Sequence, residues 1–86
     1  MADRVCLVTG GNSGIGFELC RGMAASGFHV VMVSRGEERG QPALEKLQAE
    51  FGDSVEMMLC DMSDLDNIQK LHAEYTAKFD RLDVLF

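Results

Sequence analysis

No stretch of this 86-residue chain comes near the roughly 18 consecutive apolar residues that a membrane-spanning helix needs. Nor does any window gather the lysines and arginines of a nucleic-acid or anionic-membrane surface, since eight basic residues stand against fourteen acidic ones and the formal net charge is −6. An anionic ligand would therefore have to be held by local donors. Cysteine is scarce and shows no CxxC spacing. Cys6, Cys20 and Cys60 lie in apolar runs, where cysteine behaves as a small hydrophobe, so all three are expected to be buried, reduced and structural. An odd thiol count without a signal peptide points to a reducing, cytoplasmic setting, with a membrane anchor on a longer parent left open. Repeats, linkers and low-complexity segments are missing too.

What is there reads as a folded domain. Hydrophobic residues make up 47% of the chain and charged residues 26%, ordinary for a globular protein and wrong for a disordered one. A chain this short hides only about two thirds of its unfolded surface, so its core is marginal. Val5 to Val8 is continuously apolar, as in a central parallel strand covered on both faces. Ile15, Leu19 and Met23 recur every fourth residue and predict a helix from Gly14 to Ser26, ended by Gly27 as a left-handed cap. Phe28 to Val33 is a second, valine-rich strand. A second helix becomes secure near Pro42, the single proline, with Ala43, Leu44, Leu47 and Phe51 as its apolar side and Gly52-Asp53 closing it. Val55 to Cys60 forms a third strand. Ser63 and Asp66 resemble a capping box opening a helix whose apolar stripe is Leu65, Ile68, Leu71, Tyr75 and Phe79. Leu82 to Phe86 is a fourth strand. The class is α/β with a parallel sheet, and right-handed crossovers set the strand order three-two-one-four.

The stretch Leu7-Val8-Thr9-Gly10-Gly11-Asn12-Ser13-Gly14-Ile15-Gly16 stands between the first strand and the first helix. Gly10, Gly14 and Gly16 fall where a backbone must turn tightly, admit a pyrophosphate and let helix pack on strand. A helix N-terminus aims free amides and a partial positive charge at an anion. A merely structural turn is the alternative. A triphosphate P-loop is disfavoured, because Gly16-Phe17-Glu18 stands where it needs Gly-Lys-Ser/Thr. The turn lies at the reversal of strand order, where open α/β sheets bind ligands.

The octet Thr9 to Gly16 matches the Thr-Gly-x-x-x-Gly-Ile-Gly signature of the short-chain dehydrogenase/reductase family, and the chain resembles its retinol-dehydrogenase-like and carbonyl-reductase-like members throughout. The resemblance spans only about the first third of a typical member. It implies a Rossmann-type parallel sheet, truncated here after the fourth strand, a nicotinamide dinucleotide partner, and oxidation or reduction of an alcohol or carbonyl. Gly10, Asn12, Ser13, Gly14, Ile15 and Gly16 become coenzyme-binding candidates. An NAD-binding version places Asp or Glu at the end of the second strand, whereas this chain has Ser34-Arg35. A hydroxyl and a planar guanidinium would receive a 2′-phosphate that a carboxylate would repel, so NADP is favoured over NAD; an exposed arginine at a strand end is the plainer alternative. Asp61 follows the third strand, where the family often places an adenine contact, with the Met62 backbone adding a hydrogen bond. An ordinary turn residue is the other reading of Asp61.

Candidates for catalysis are lacking. Tyr75 and Lys78 are three apart, not four as in the family's Tyr-x-x-x-Lys pair, and Tyr75 lies on a core stripe. The Asn-Asn-Ala-Gly stretch usual after the fourth strand is absent as well. His29 and His72 have no ligand-spaced partners, so no metal is expected. Three readings stay open: the coenzyme-binding part of an NADP(H)-dependent oxidoreductase, a coenzyme-sensing module without catalysis, and an inactive fragment. The first two helices should cover one face of the sheet and the third helix the other, leaving sheet edge and apolar face for possible self-association.

Overall fold

In a computed structural model, the described residues are 4–10, 14–79 and 82–86. They form β1 (Val5–Thr9), α1 (Gly14–Ala25), β2 (His29–Ser34), α2 (Glu37–Phe51), a single 3-10 turn (Gly52–Ser54), β3 (Val55–Leu59), α3 (Leu65–Lys78) and β4 (Val84–Leu85). All strand pairings are parallel, in the order β3-β2-β1-β4. The Rossmann-type α/β sheet expected from the chain is what forms.

The two-residue alternation of the strands sorts their side chains into two layers. Cys6, Val8, Val30, Met32 and Val55 meet Cys20 and Ala24 of α1 and Ala43, Leu44 and Leu47 of α2. On the opposite face Val5, Leu7, Val31, Val33 and Met58 meet Leu71 and Tyr75 of α3. Each fully buried valine contributes about 1.5–3 kcal/mol of transfer free energy, so the continuous apolar runs hold the sheet from both sides. The division of two helices on one face and one on the other agrees with the crossover rule.

Several local expectations are corrected. α2 begins at Glu37, not near Pro42. Glu37 and Glu38 complement the helix dipole in the first turn, and Gly40 N–H bonds the Gly36 carbonyl at 3.1 Å, so the helix is already under way when Pro42 removes one donor. Asp64, not Ser63, caps α3: its carboxylate accepts from Asp66 N–H at 2.9 Å, while Ser63 gives both its N–H and its hydroxyl to Asp61 Oδ1. Two positions assigned to core stripes face outward, Ile15 and Leu65. The buried line of α1 runs instead through Cys20 and Ala24. β4 is regular only over two residues, although Asp83 N–H to Val5 O and Phe86 N–H to Leu7 O extend its pairing at both ends. Gly27 ends α1 at φ 93°, as its type foretold.

Candidate functional site

The C-terminal ends of β1, β2 and β3 are laced together by Gly10 N–H to Val33 O at 3.0 Å and Cys60 N–H to Ser34 O at 2.9 Å. This brings the entrance of the glycine turn, the Ser34-Arg35 corner and the Asp61-Met62 corner onto one edge, with the turn's entrance at the β1–β4 reversal of strand order. Gly10 and Gly14 hold φ of 68° and 57°, a left-handed conformation that strains any side-chain-bearing residue. Among the described residues nothing stands within 4 Å of where a Cβ on either glycine would be. Glycines in this conformation, beside a helix N-terminus with no acidic residue in its first turn, suit a phosphate. Ile15 projects outward, 81% exposed, and Gly16 lies in the first turn of α1. Asn12 and Ser13 fall outside the described residues.

Arg35 and Asp61 face one another. The guanidinium, three quarters exposed, lies 3.7 Å from Asp61 Oδ2. Asp61 is held below the usual carboxylate range by the Ser63 hydroxyl, next by the Ser63 N–H, and more weakly by the charge of Arg35. Its Oδ1 is occupied by Ser63, leaving Oδ2 toward Arg35 and solvent. Met62 is half-exposed beside it. Ser34 is placed differently from the outward-facing hydroxyl that the sequence suggests. It is buried, and its hydroxyl donates to the Gly36 carbonyl at 2.9 Å, bracing the turn that carries Arg35. The α2 N-terminus that follows has no side-chain cap, and a recess of about 480 Å³ runs along residues 35–39.

Two residues of this corner escaped the sequence reading. Arg39 lines the same recess four residues beyond Arg35. Gly40 is buried in α2 where that helix crosses Ser34 and Met57, and a Cβ there would stand 2.8 Å from Ser34 Cβ. A glycine within a helix was the available signal, since it often marks close approach.

Tyr75, Lys78 and His29 lie away from this corner. Tyr75 is buried against α3's face of the sheet, and burial pushes its hydroxyl above its ordinary value, helped by the charge of Asp83. Lys78 donates to Glu56 Oε1 at 2.7 Å, and His29 Nε2 lies 2.6 Å from Glu56 Oε2, all at the opposite end of the sheet. Burial pushes Glu56 up, but the bonds from Lys78 and His29 outweigh it and leave the carboxyl below its ordinary value. The three thiols are buried; burial raises each, Cys20 to about 12, so none offers a thiolate. No helix of the described residues is long and apolar enough to cross a membrane.

Comparison with known proteins agrees with this geometry. (−)-Isopiperitenone reductase of Mentha piperita is 40% identical over 86 residues, an alignment spanning 96% of this chain and 27% of that protein. The solved structure of menthone neomenthol reductase from Mentha piperita superposes with a TM-score of 0.89 at 39% identity, over 99% of this chain and 31% of the other. A metagenomic short-chain oxidoreductase solved in complex with NADP gives a TM-score of 0.87 at 30% identity, over 99% and 38% of the two chains. The chain thus spans less than a third of the length of the two mint proteins. The sequence model of the family described as short chain dehydrogenase matches residues 4–86, and with the parallel sheet in place, the chain belongs to that family.

Proposed function

We propose that this chain forms the coenzyme-binding part of an NADP(H)-dependent oxidoreductase that interconverts an alcohol and a carbonyl. The observation that carries the reading is the convergence, at one sheet edge, of the left-handed Gly10 and Gly14 with Arg35 beside Asp61. In this reading Gly10, Asn12, Ser13, Gly14, Ile15 and Gly16 receive the pyrophosphate. Arg35 receives the 2′-phosphate through its planar donors, and Ser34 positions Arg35 by fixing the turn. Asp61, ionised at neutral pH and acceptor-only, takes the adenine amino group on Oδ2, with the Met62 backbone alongside. The bound coenzyme would supply the hydride; these residues bind and orient it. The names of the mint relatives and the NADP bound to the metagenomic neighbour support the choice of coenzyme and chemistry.

A coenzyme-binding module without catalysis is the second reading. It is favoured by the burial of Tyr75 and the engagement of Lys78 with Glu56. Calorimetric titration with NADPH and NADH tests the shared core of both. Arg35→Ala should weaken NADPH binding by about 1.5–3 kcal/mol, the scale of a hydrogen bond to a charged group, and leave NADH nearly unchanged. Equal losses for the two coenzymes would overturn the 2′-phosphate role. Catalysed NADPH oxidation with a ketone or aldehyde by the chain alone would remove the non-catalytic reading.

A further inference from the structure

The C-terminal end of α3 is tied to the sheet through one carboxylate. Lys78, the last residue of the helix, donates to Glu56 Oε1 of β3 at 2.7 Å, and His29 Nε2 of β2 lies 2.6 Å from Glu56 Oε2. An ionised carboxylate only accepts, so both partners donate to it and one side chain joins three elements. Side-chain exposure is 22% at Glu56 and 20% at His29, which shields the bond between them from water and salt. Phe79 follows, its ring centroid 5.3 Å from that of His29 and 5.0 Å from that of Tyr75. Thr76, Ala77 and Lys78 are exposed, so the last turn of α3 meets the sheet through Tyr75, Phe79 and the Glu56 bond.

A helix end with few buried apolar contacts is among the first parts of a domain to open. Here charged bonds supply what packing does not. Loss of the negative charge would leave the Lys78 ammonium without its counter-charge and a neutral acid that accepts only weakly from His29. We infer that Glu56 is a proton-operated clasp: ionised, it holds the last turn of α3 on β2 and β3, and protonated, it lets that turn open while the other helices and the sheet stay folded. The charged and titratable groups facing it are His29 from β2 and Lys78 from α3, while Asp83, just ahead of β4, acts on Tyr75. Burial raises the Glu56 carboxyl, but the bonds from Lys78 and His29 outweigh it and leave it lowered. The clasp is therefore fully closed above the ordinary value of 4.5 and opens as pH falls through the folded value.

The chain has one tyrosine and no tryptophan, so its intrinsic fluorescence reads Tyr75, in the turn that opens. Acrylamide quenching is measured on the 86-residue chain from about pH 7 to about pH 3, with far-ultraviolet dichroism on the same samples. The expected result is a several-fold rise in quenching below pH 4.5, at a pH where the dichroism keeps most of its folded value. Glu56→Gln should remove this step, and Lys78→Gln should move it to higher pH by withdrawing a charge that favours the anion. Lys78 is exposed, so its replacement tests the clasp without disturbing the core. Asp83→Asn, whose amide oxygen can still accept from Val5 N–H, should leave the step in place. Quenching that rises only as the dichroism is lost, no rise at all, a step retained in Glu56→Gln, one unmoved in Lys78→Gln, or one abolished by Asp83→Asn would each overturn the proposal.

Discussion

Gly40→Ala probes how closely α2 is seated on the strand ends that carry the site. The added methyl would fall on Met57 Sδ and stand 2.8 Å from Ser34 Cβ and 2.9 Å from Ser34 Oγ. Carbon atoms in ordinary contact are about 3.5–4.0 Å apart, so the shortfall against Ser34 approaches 1 Å. Met57 can swing its thioether away. Ser34 cannot retreat: its Cβ is fixed to β2, and its hydroxyl is bonded to Gly36 O. α2 must lift instead. Overpacking of this kind costs about 1–3 kcal/mol, and exchanging glycine for alanine in a helix returns about 1 kcal/mol, leaving a net loss of up to about 2 kcal/mol. With a urea slope near 1 kcal/mol/M for a small domain, the unfolding midpoint should fall by up to about 2 M. Gly22→Ala is the control, because Gly22 is exposed in α1 with nothing within 4 Å of its virtual Cβ. It should stabilise by about 0.5–1 kcal/mol. Both are measured by urea unfolding at one protein concentration, followed by circular dichroism. If Gly40→Ala proves as stable as Gly22→Ala, the close seating of α2 on Ser34 is refuted.

Gly14→Asp should abolish dinucleotide binding, by placing a side chain at φ 57° and a negative charge where the pyrophosphate is proposed to lie; unchanged affinity in a folded variant would sink that assignment. Because the Glu56 carboxyl is depressed in the folded chain, its contribution to stability is fully present above the ordinary value of 4.5 and is lost as pH falls through the folded value. Glu56→Gln should therefore flatten the acid limb of a stability-versus-pH curve below about pH 4.5 while lowering the plateau at neutral pH, and an unaltered limb would show that the His29 and Lys78 contacts contribute nothing. Leu82, Leu85 and Phe86 are each close to half exposed or more along an edge strand paired on one side only, so the purified 86-residue chain should self-associate as a folded oligomer, as light scattering would report. A monodisperse monomer at the concentrations used for unfolding would refute this.

Local pattern and connectivity were enough to read the frame of this protein from its residues. Apolar runs at Val5 and at Phe28 named the inner strands, Gly27 named the end of α1, and crossover handedness ordered the sheet and divided its helices two to one. These features depend on periodicities of a few residues and on chain chirality, which act before any distant contact forms. Gly10 and Gly14 were legible for the same reason, since the left-handed backbone they adopt favours glycine. Tertiary packing alone decided the rest. Glu37 could start α2 ahead of Pro42 because only one bond is lost there. Ile15 and Leu65 turned outward because the helix faces were chosen by Cys20, Ala24, Leu71 and Tyr75, which meet the sheet. Ser34 went inward to brace its own turn, and Gly40 became the contact that seats α2 on it. Arg35 and Asp61 came to face each other only when β2 and β3 paired in register, Ser34 beside Leu59. Which side chains meet across elements depends on sheet register and helix seating, and no single segment of sequence carries that information.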